Sequence, residues 1–260
     1  MEKFKITKIL FFIVIILIPT YIYSAEQNDP IKVNWSFKGL TGKFDRSSLQ
    51  RGFQVYKEVC SSCHSMQYLS YRNLGEPGGP EFSKAEVKAI AASIEIEDGP
   101  DSQGEMFTRP GRPSDKFKSP YPNVNASIAA NGGAYPPDMS VLVKARPDGS
   151  NYIYSVLVGY EEPPSEMILD DGVYYNKYMI GNKIKMSAPL SDDIVEYSDG
   201  TKATVDQMAK DVTTFLSWAA EPELEERHRT GVKVIIYLIL LTLLVYLSMK
   251  KIWSRIDSEV

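Results

Sequence analysis

Cys60-Ser61-Ser62-Cys63-His64 is a C-x-x-C-H pentapeptide and uses both cysteines of the 260-residue chain. In this pattern each thiol adds across a haem vinyl group, and the adjacent histidine becomes the proximal ligand of the iron. Three other uses of the motif were weighed: a redox dithiol, a structural disulfide and half of a zinc site. A thioredoxin-like pair belongs at a βα junction, whereas the preceding residues, Arg51 to Val59, have a helical pattern. Zinc needs about four nitrogen or sulfur ligands. The chain has 2 Cys and 2 His, and His228 borders an apolar segment far along the sequence, so the pentapeptide points to one covalently bound haem c. His228 lies between Arg227 and Arg229 and reads as a solvated interfacial residue. The sixth iron ligand is therefore expected from methionine, which raises the reduction potential as in other His/Met haems.

Outward from the motif, a helix is expected after Ser47 or Ser48 as cap, with Leu49, Phe53, Tyr56 and Val59 on one face, delivering Cys60 at its end. A second follows Thr204, with Val205, Met208, Val212, Phe215 and Leu216 on one face and Pro222 beyond its end. Two such helices packed face to face beside the haem are the expected frame of a cytochrome c-like domain. Lys84 to Ile94 is a shorter helix, and Tyr152 to Tyr160 fits helix or strand. Gly75 to Pro80, Arg109 to Pro113, Tyr121-Pro122 and Gly132 to Pro137 are loops rich in glycine, proline and aromatics, suited to wall a flat cofactor. The fold class is mainly α, with long loop insertions and one C-terminal transmembrane helix.

Both ends carry membrane signals. Lys3, Lys5 and Lys8 precede an apolar run from Ile9 to Ile18, and Ser24-Ala25 offers a small-residue cleavage site, so residues 1–25 are expected to be a secretory signal peptide. Val232 to Met249 is apolar apart from Lys233, Thr242 and Ser248; as a helix it is about 27 Å long, enough to span with its ends snorkelling. Lys250, Lys251, Trp253 and Tyr237 supply the borders of a span. The organisation is then a periplasmic haem domain over 26–229, a transmembrane helix over 230–250 and a cytoplasmic tail over 251–260, in a bacterial inner membrane. Residues 26–229 carry 22 Lys and Arg against 30 Asp and Glu, a balance of −8. Such a domain repels nucleic acid and attracts basic partners.

The sequence resembles the cytochrome c1 family, the haem subunits of the ubiquinol:cytochrome c oxidoreductase or bc1 complex. The residues carrying the resemblance are Trp35-Ser36 with Gly39-Leu40, Arg51 to Met66, Asp98-Gly99-Pro100 and Gly104-Glu105-Met106-Phe107. They continue through Arg109-Pro110-Gly111, Asn131 to Asp138, and Trp218-Ala219-Ala220-Glu221-Pro222-Glu223. The resemblance implies a distal methionine in a Met-x-x-Pro segment, here Met186-Ser187-Ala188-Pro189, with Met139, Met167 and Met179 as competitors. Met66 is too near His64 to cross the haem, and Met208 belongs to a helix core. Where the family has an arginine before Ala-Ala-Asn, understood to pair with a haem propionate, this chain has Ile128. Arg109, Arg112 and Tyr135 are the candidate replacements, with Tyr135 also a candidate to line the haem.

The implied function is electron transfer from a Rieske iron–sulfur protein to a cytochrome c, beside cytochrome b in the lipid bilayer and within a dimeric complex. The subunit itself does no bond chemistry. Acidic clusters at Glu95 to Asp98, Asp101, Glu161-Glu162 and Asp170-Asp171 would face a basic acceptor. A free-standing membrane-anchored cytochrome donating to a terminal oxidase is the alternative, but a long flexible tether before Val232 is missing. A haem peroxidase would keep its distal position open and often carry a second motif.

Overall fold

Asp45 caps the first helix, two and three residues before the serines, Ser47 and Ser48, expected to do so. The computed structural model describes residues 28–256; the expected signal peptide and residues 257–260 of the expected tail lie outside the described residues. Helix α1, Arg46–Glu58, is capped by the Asp45 carboxylate, which accepts from the Ser48 amide at 2.7 Å. Aspartate is as good a cap as serine, and the Ser48 hydroxyl is used elsewhere, donating to Asp211 at 2.6 Å. Leu49, Gly52, Phe53, Val55 and Tyr56 form the buried face of α1.

The remaining helices are α2 (Lys84–Ala92), α3 (Val124–Ala130), α4 (Gly149–Val158), α5 (Val205–Ala220) and α6 (Leu224–Ile256). Sheet is confined, among the described residues, to two antiparallel pairs: β1 (Glu95–Asp98) with β2 (Phe107–Pro110), and β3 (Tyr174–Tyr175) with β4 (Lys183–Ile184). The fold is therefore mainly helical, with long loops between the helices. The stretch that fits either helix or strand is helical in α4. Its apolar run has no decisive period, but the Ser155 hydroxyl donates back to the Asn151 carbonyl at 2.7 Å, and Ser150 meets Ser217 of α5 at 3.1 Å.

Helix α5 begins at Thr204, whose hydroxyl accepts from the Gln207 amide at 3.2 Å, and it is buried almost all round. It sits between α1 and α4 and is the centre of the core. The approach of α1 to α5 is closest at Gly52, where a Cβ would lie 2.1 Å from the Asp211 carbonyl oxygen and 2.7 Å from Phe215 Cβ. Only glycine permits this spacing. The same crossing is tied by charge: Arg51 donates to the buried Asp211 carboxylate at 2.8 and 3.1 Å and to Asp199 at 2.8 Å. Phe53 meets Phe82, Phe117 and Phe215 at ring-centroid distances of 5.7, 6.2 and 5.7 Å. These tilted and edge-on pairs add to the burial of large apolar area.

Helix α6 follows α5 after only Glu221-Pro222-Glu223 and continues for 33 residues, about 50 Å. From Val232 to Trp253 its large apolar side chains are exposed on every face, as a lipid-facing helix requires. It is one helix apolar and long enough to cross a membrane. Its first turn is clamped to the domain. Glu225 accepts two bonds from Arg46, at 2.7 and 2.9 Å, and one from the Phe44 amide at 2.9 Å, and His228 Nδ1 lies 3.2 Å from the Gly42 carbonyl.

Gly52→Ala should destabilise the protein by at least about 2 kcal/mol, because the added methyl must displace the backbone of α5. Thermal unfolding followed by circular dichroism should show a midpoint lowered by several degrees.

Candidate functional site

Helix α1 ends at Val59, and the chain enters a tight turn over Cys60–Ser62 in which the Cys63 and His64 amides both donate to the Cys60 carbonyl, at 3.2 and 2.9 Å. The two intervening serines have a structural use. Ser61 Oγ donates to the Lys57 carbonyl at 2.7 Å and Ser62 Oγ to the Val59 carbonyl at 2.8 Å, closing helix-end acceptors that have no helical partner. One turn thus carries both thiols and the imidazole, and both cysteines are free. Burial, followed by the neighbouring Cys63, pushes the Cys60 thiol up to about 12.

His64 is buried, and its Nδ1 lies 2.9 Å from the Pro137 carbonyl oxygen. A carbonyl only accepts, so Nδ1 carries the proton and Nε2 keeps its lone pair. Burial lowers the pKa of the ring, which holds it neutral. This is the protonation state that a metal-binding histidine needs, with the other ring nitrogen oriented by a backbone oxygen.

The Pro137 segment is itself strapped to the turn. Asp138 accepts from Ser65 Oγ at 2.7 Å, the Gln67 amide at 2.9 Å and the Ser140 amide at 2.8 Å, while the Met139 amide donates to the Ser65 carbonyl at 2.8 Å. Burial opposes ionisation of Asp138, but the bonds from Ser140, Gln67 and Ser65 outweigh it and lower its pKa. Sequence reasoning placed Pro137 and Asp138 among the family-like residues without a role. Their signal was an acid beside a Pro-Pro pair in an otherwise glycine-rich loop.

Beside the turn is a cavity of about 440 Å³, with Cys63, Lys116, Phe117, Tyr121, Val124 and Tyr135 on its walls. Tyr135 is on its wall, as are the Tyr121-Pro122 loop and Lys116, Phe117 and Val124, for which the sequence carries no local signal. Met186 is not among the lining residues. It is partly buried, its carbonyl accepts from Tyr160 OH at 3.1 Å, and the neighbouring Lys185 reaches the Gly132 carbonyl at 3.0 Å. Of its competitors, Met139 is packed in the core, and Met179 Sδ accepts from Tyr152 OH at 3.1 Å. Met66 and Met208 are fully buried core residues.

Arg109, Arg112 and Tyr135 are the candidates to replace the propionate partner missing at Ile128. Arg109 is committed to Asp98 and, by two bonds of 2.7 and 3.0 Å, to Asp115. Arg112 is exposed and outside the cavity lining, whereas Lys116 is within it. Ile128 lies partly buried near the end of α3.

An attachment turn with two free thiols, a neutral buried imidazole and an adjoining cavity walled by flat side chains fits a covalently held haem. Together with the helical frame it defines the class: a c-type cytochrome domain on one apolar helix. A family model described as the Cytochrome C1 family matches residues 35–256. The chain belongs to that family, and so is a haem protein of electron transfer. It is 50% identical over 239 residues to "Cytochrome b/c1" of Bradyrhizobium diazoefficiens, covering 85% of this chain and 35% of that longer protein. It is 48% identical over 241 residues to "Cytochrome c1" of Rhodospirillum rubrum, covering 86% and 88%. It is 47% identical over 231 residues to the "Cytochrome b-c1 complex catalytic subunit, mitochondrial" of Candida albicans, covering 88% and 79%.

Two outcomes follow from these charges. Lys116→Gln removes a cation from the cavity wall, which stabilises the more positive oxidised haem; redox titration should show a lowered midpoint potential, by on the order of 1 kcal/mol of electron affinity. The Asp115 pKa is held at about 2 by the bonds from Arg109, below the ordinary value of about 3.9. Its folded-state pKa is depressed, so its contribution to stability is complete above about pH 4 and is lost as the pH falls towards about 2. Acid unfolding curves of Arg109→Ala should show a smaller loss across that window.

Proposed function

We propose that this chain is the haem-bearing electron-transfer subunit of a bc1 complex, taking one electron from a Rieske iron–sulfur protein and passing it to a cytochrome c. Cys60 and Cys63 would hold the haem covalently, His64 Nε2 and Met186 would ligate its iron, and Tyr135 would stand on the cavity wall. When bound, the haem supplies a one-electron Fe(III)/Fe(II) couple. The residues of the chain would orient it and leave no bond chemistry to perform: the Pro137 carbonyl fixes the His64 ring, the Asp138 strap fixes Pro137, and an iron ligated by both His64 and Met186 would be suited to electron transfer rather than ligand activation. The prior engagement of Met139 and Met179 removes two competitors, and the family's Met-x-x-Pro pattern favours Met186 over Met167, which is partly buried like it.

The observation that carries the reading is the clamp between Arg46 and Glu225. It joins the helix that delivers Cys60 to the first turn of the apolar helix, so the haem site is held at a set angle to the membrane rather than on a swinging tether. Fixed geometry suits a subunit that exchanges electrons with neighbours inside a complex. The haem domain is assigned to the periplasmic face of a bacterial inner membrane, crossed once by α6, and the complex to a dimer.

Affinity purification from native membranes through a tag on this chain tests the assignment. Recovery of a cytochrome b, with ubiquinol reducing the c-type haem in that assembly but not in the isolated chain, is the expected result. Recovery without cytochrome b, together with direct donation to an oxidase, would contradict it.

A further inference from the structure

A second cavity, of about 310 Å³, lies on the other side of the domain where α6 leaves it. Its walls include Lys38, Lys144, Arg227 and His228, with Glu221 as the acid and Leu224 among the apolar residues. Glu221 Oε1 lies 2.6 Å from Lys144 Nζ and 2.8 Å from Arg227 Nη2. One carboxylate is thus shared by two cations, while Lys38 brings a third. Of the neighbouring acids, Asp148 is engaged with Lys32 at 2.5 Å, Glu225 with Arg46 and Glu226 with Arg229, while Glu223 is exposed and outside the cavity lining. The cavity is left with excess positive charge in a domain that is otherwise acidic.

Its position says what anion would come there. The apolar stretch of α6 begins at Val232, four residues or about 6 Å beyond His228. A helix that crosses the bilayer from Val232 onward therefore places His228 and Arg227, about 6 and 8 Å beyond the apolar stretch, at the level of the headgroups, and the cavity they line adjoins that layer. The loop that supplies Lys38 also supplies Leu40, which is 81% exposed, and it is fixed to α6 through the contact between Gly42 and His228. An unsupported leucine flanked by Lys38 and Lys43 is the composition of an interfacial contact.

We propose that this cavity binds the phosphate headgroup of an anionic phospholipid, and that Lys38, Lys144 and Arg227 are its cationic contacts. The inference rests on α6 spanning the membrane, a point tested separately below. Phosphate oxygens are met by Arg227 and the two lysines, and Leu40, 81% exposed on the loop that carries Lys38, faces the start of the acyl region. Such a lipid would brace the joint between haem domain and helix next to the Arg46–Glu225 clamp.

The full-length haem-loaded protein, in the assembly with which it is isolated, is washed in detergent containing phosphatidylglycerol or phosphatidylcholine, and retained lipid is counted by mass spectrometry. Phosphatidylglycerol should be retained in preference, and the double variant Lys38→Ala/Arg227→Ala should weaken its retention on the order of twentyfold, about fivefold for each cation. The control Lys84→Ala/Lys88→Ala, which removes equal charge from α2, should retain it like the wild type, and the haem absorption spectrum should be unchanged in both. Equal retention by the Lys38/Arg227 variant and the wild type, or of the two lipids, would overturn the assignment. Displacement of the lipid by excess inorganic phosphate would overturn it in favour of a free-phosphate site. Alkaline carbonate extraction of the same membranes separates the two premises: release of the chain defeats the spanning helix and the lipid site together, whereas a chain that stays embedded but shows no lipid preference defeats the lipid site alone.

Discussion

The backbone contact between α1 and α5 at Gly52 sets the rest of the structure. Without a Cβ at that position the two helices approach until the Asp211 carbonyl would touch any larger residue. The aromatic cluster of Phe53, Tyr56, Phe117 and Phe215 then closes around the crossing. The crossing also carries a buried charge. Asp211 is almost fully enclosed, and Arg51, Ser48 and Gln207 all donate to it. Removing any one of several donors leaves the others, but removing Arg51 would strand a carboxylate in the core, a costly outcome. Because Cys60 follows α1 directly, the position of the haem turn is inherited from this crossing.

From there the site is held by backbone acceptors more than by side-chain chemistry. The Pro137 carbonyl selects the tautomer of His64, and the carboxylate of Asp138 keeps Pro137 in place by bonding to the residues just beyond His64. Rigid support of this kind lowers the reorganisation that accompanies a change of charge at a buried centre. At the opposite end of α1, Arg46 binds the first turn of α6. One helix of 13 residues thus links the membrane anchor to the haem turn.

Much of this was legible in the sequence because it is local. The pentapeptide, the apolar spacing in α1 and α5, the Thr204 cap and the length of the apolar run from Val232 each express a rule that acts over a few residues. The first cap was misplaced because Asp45, Ser47 and Ser48 are all capable caps, and only the demand of Asp211 for the Ser48 hydroxyl decides among them. The Tyr152 to Tyr160 stretch was ambiguous because its burial on several sides erased the period. The acidic partners of Arg109 are likewise set by the fold: the β1–β2 hairpin brings Asp98 beside it, and Asp115 completes its bonds. The strap of Asp138 to Ser65 and the clamp of Arg46 to Glu225 join residues 73 and 179 positions apart, a pairing that no local pattern encodes.

The central claim is a haem held between His64 and a methionine for electron transfer. The most direct test is the optical and paramagnetic resonance spectrum of the membrane-bound haem in the wild type and in Met186→Leu. The account predicts low-spin His/Met ligation in the wild type, and loss of the sulfur ligand with a lowered reduction potential in the variant. A variant that keeps the wild-type spectrum and potential would contradict it.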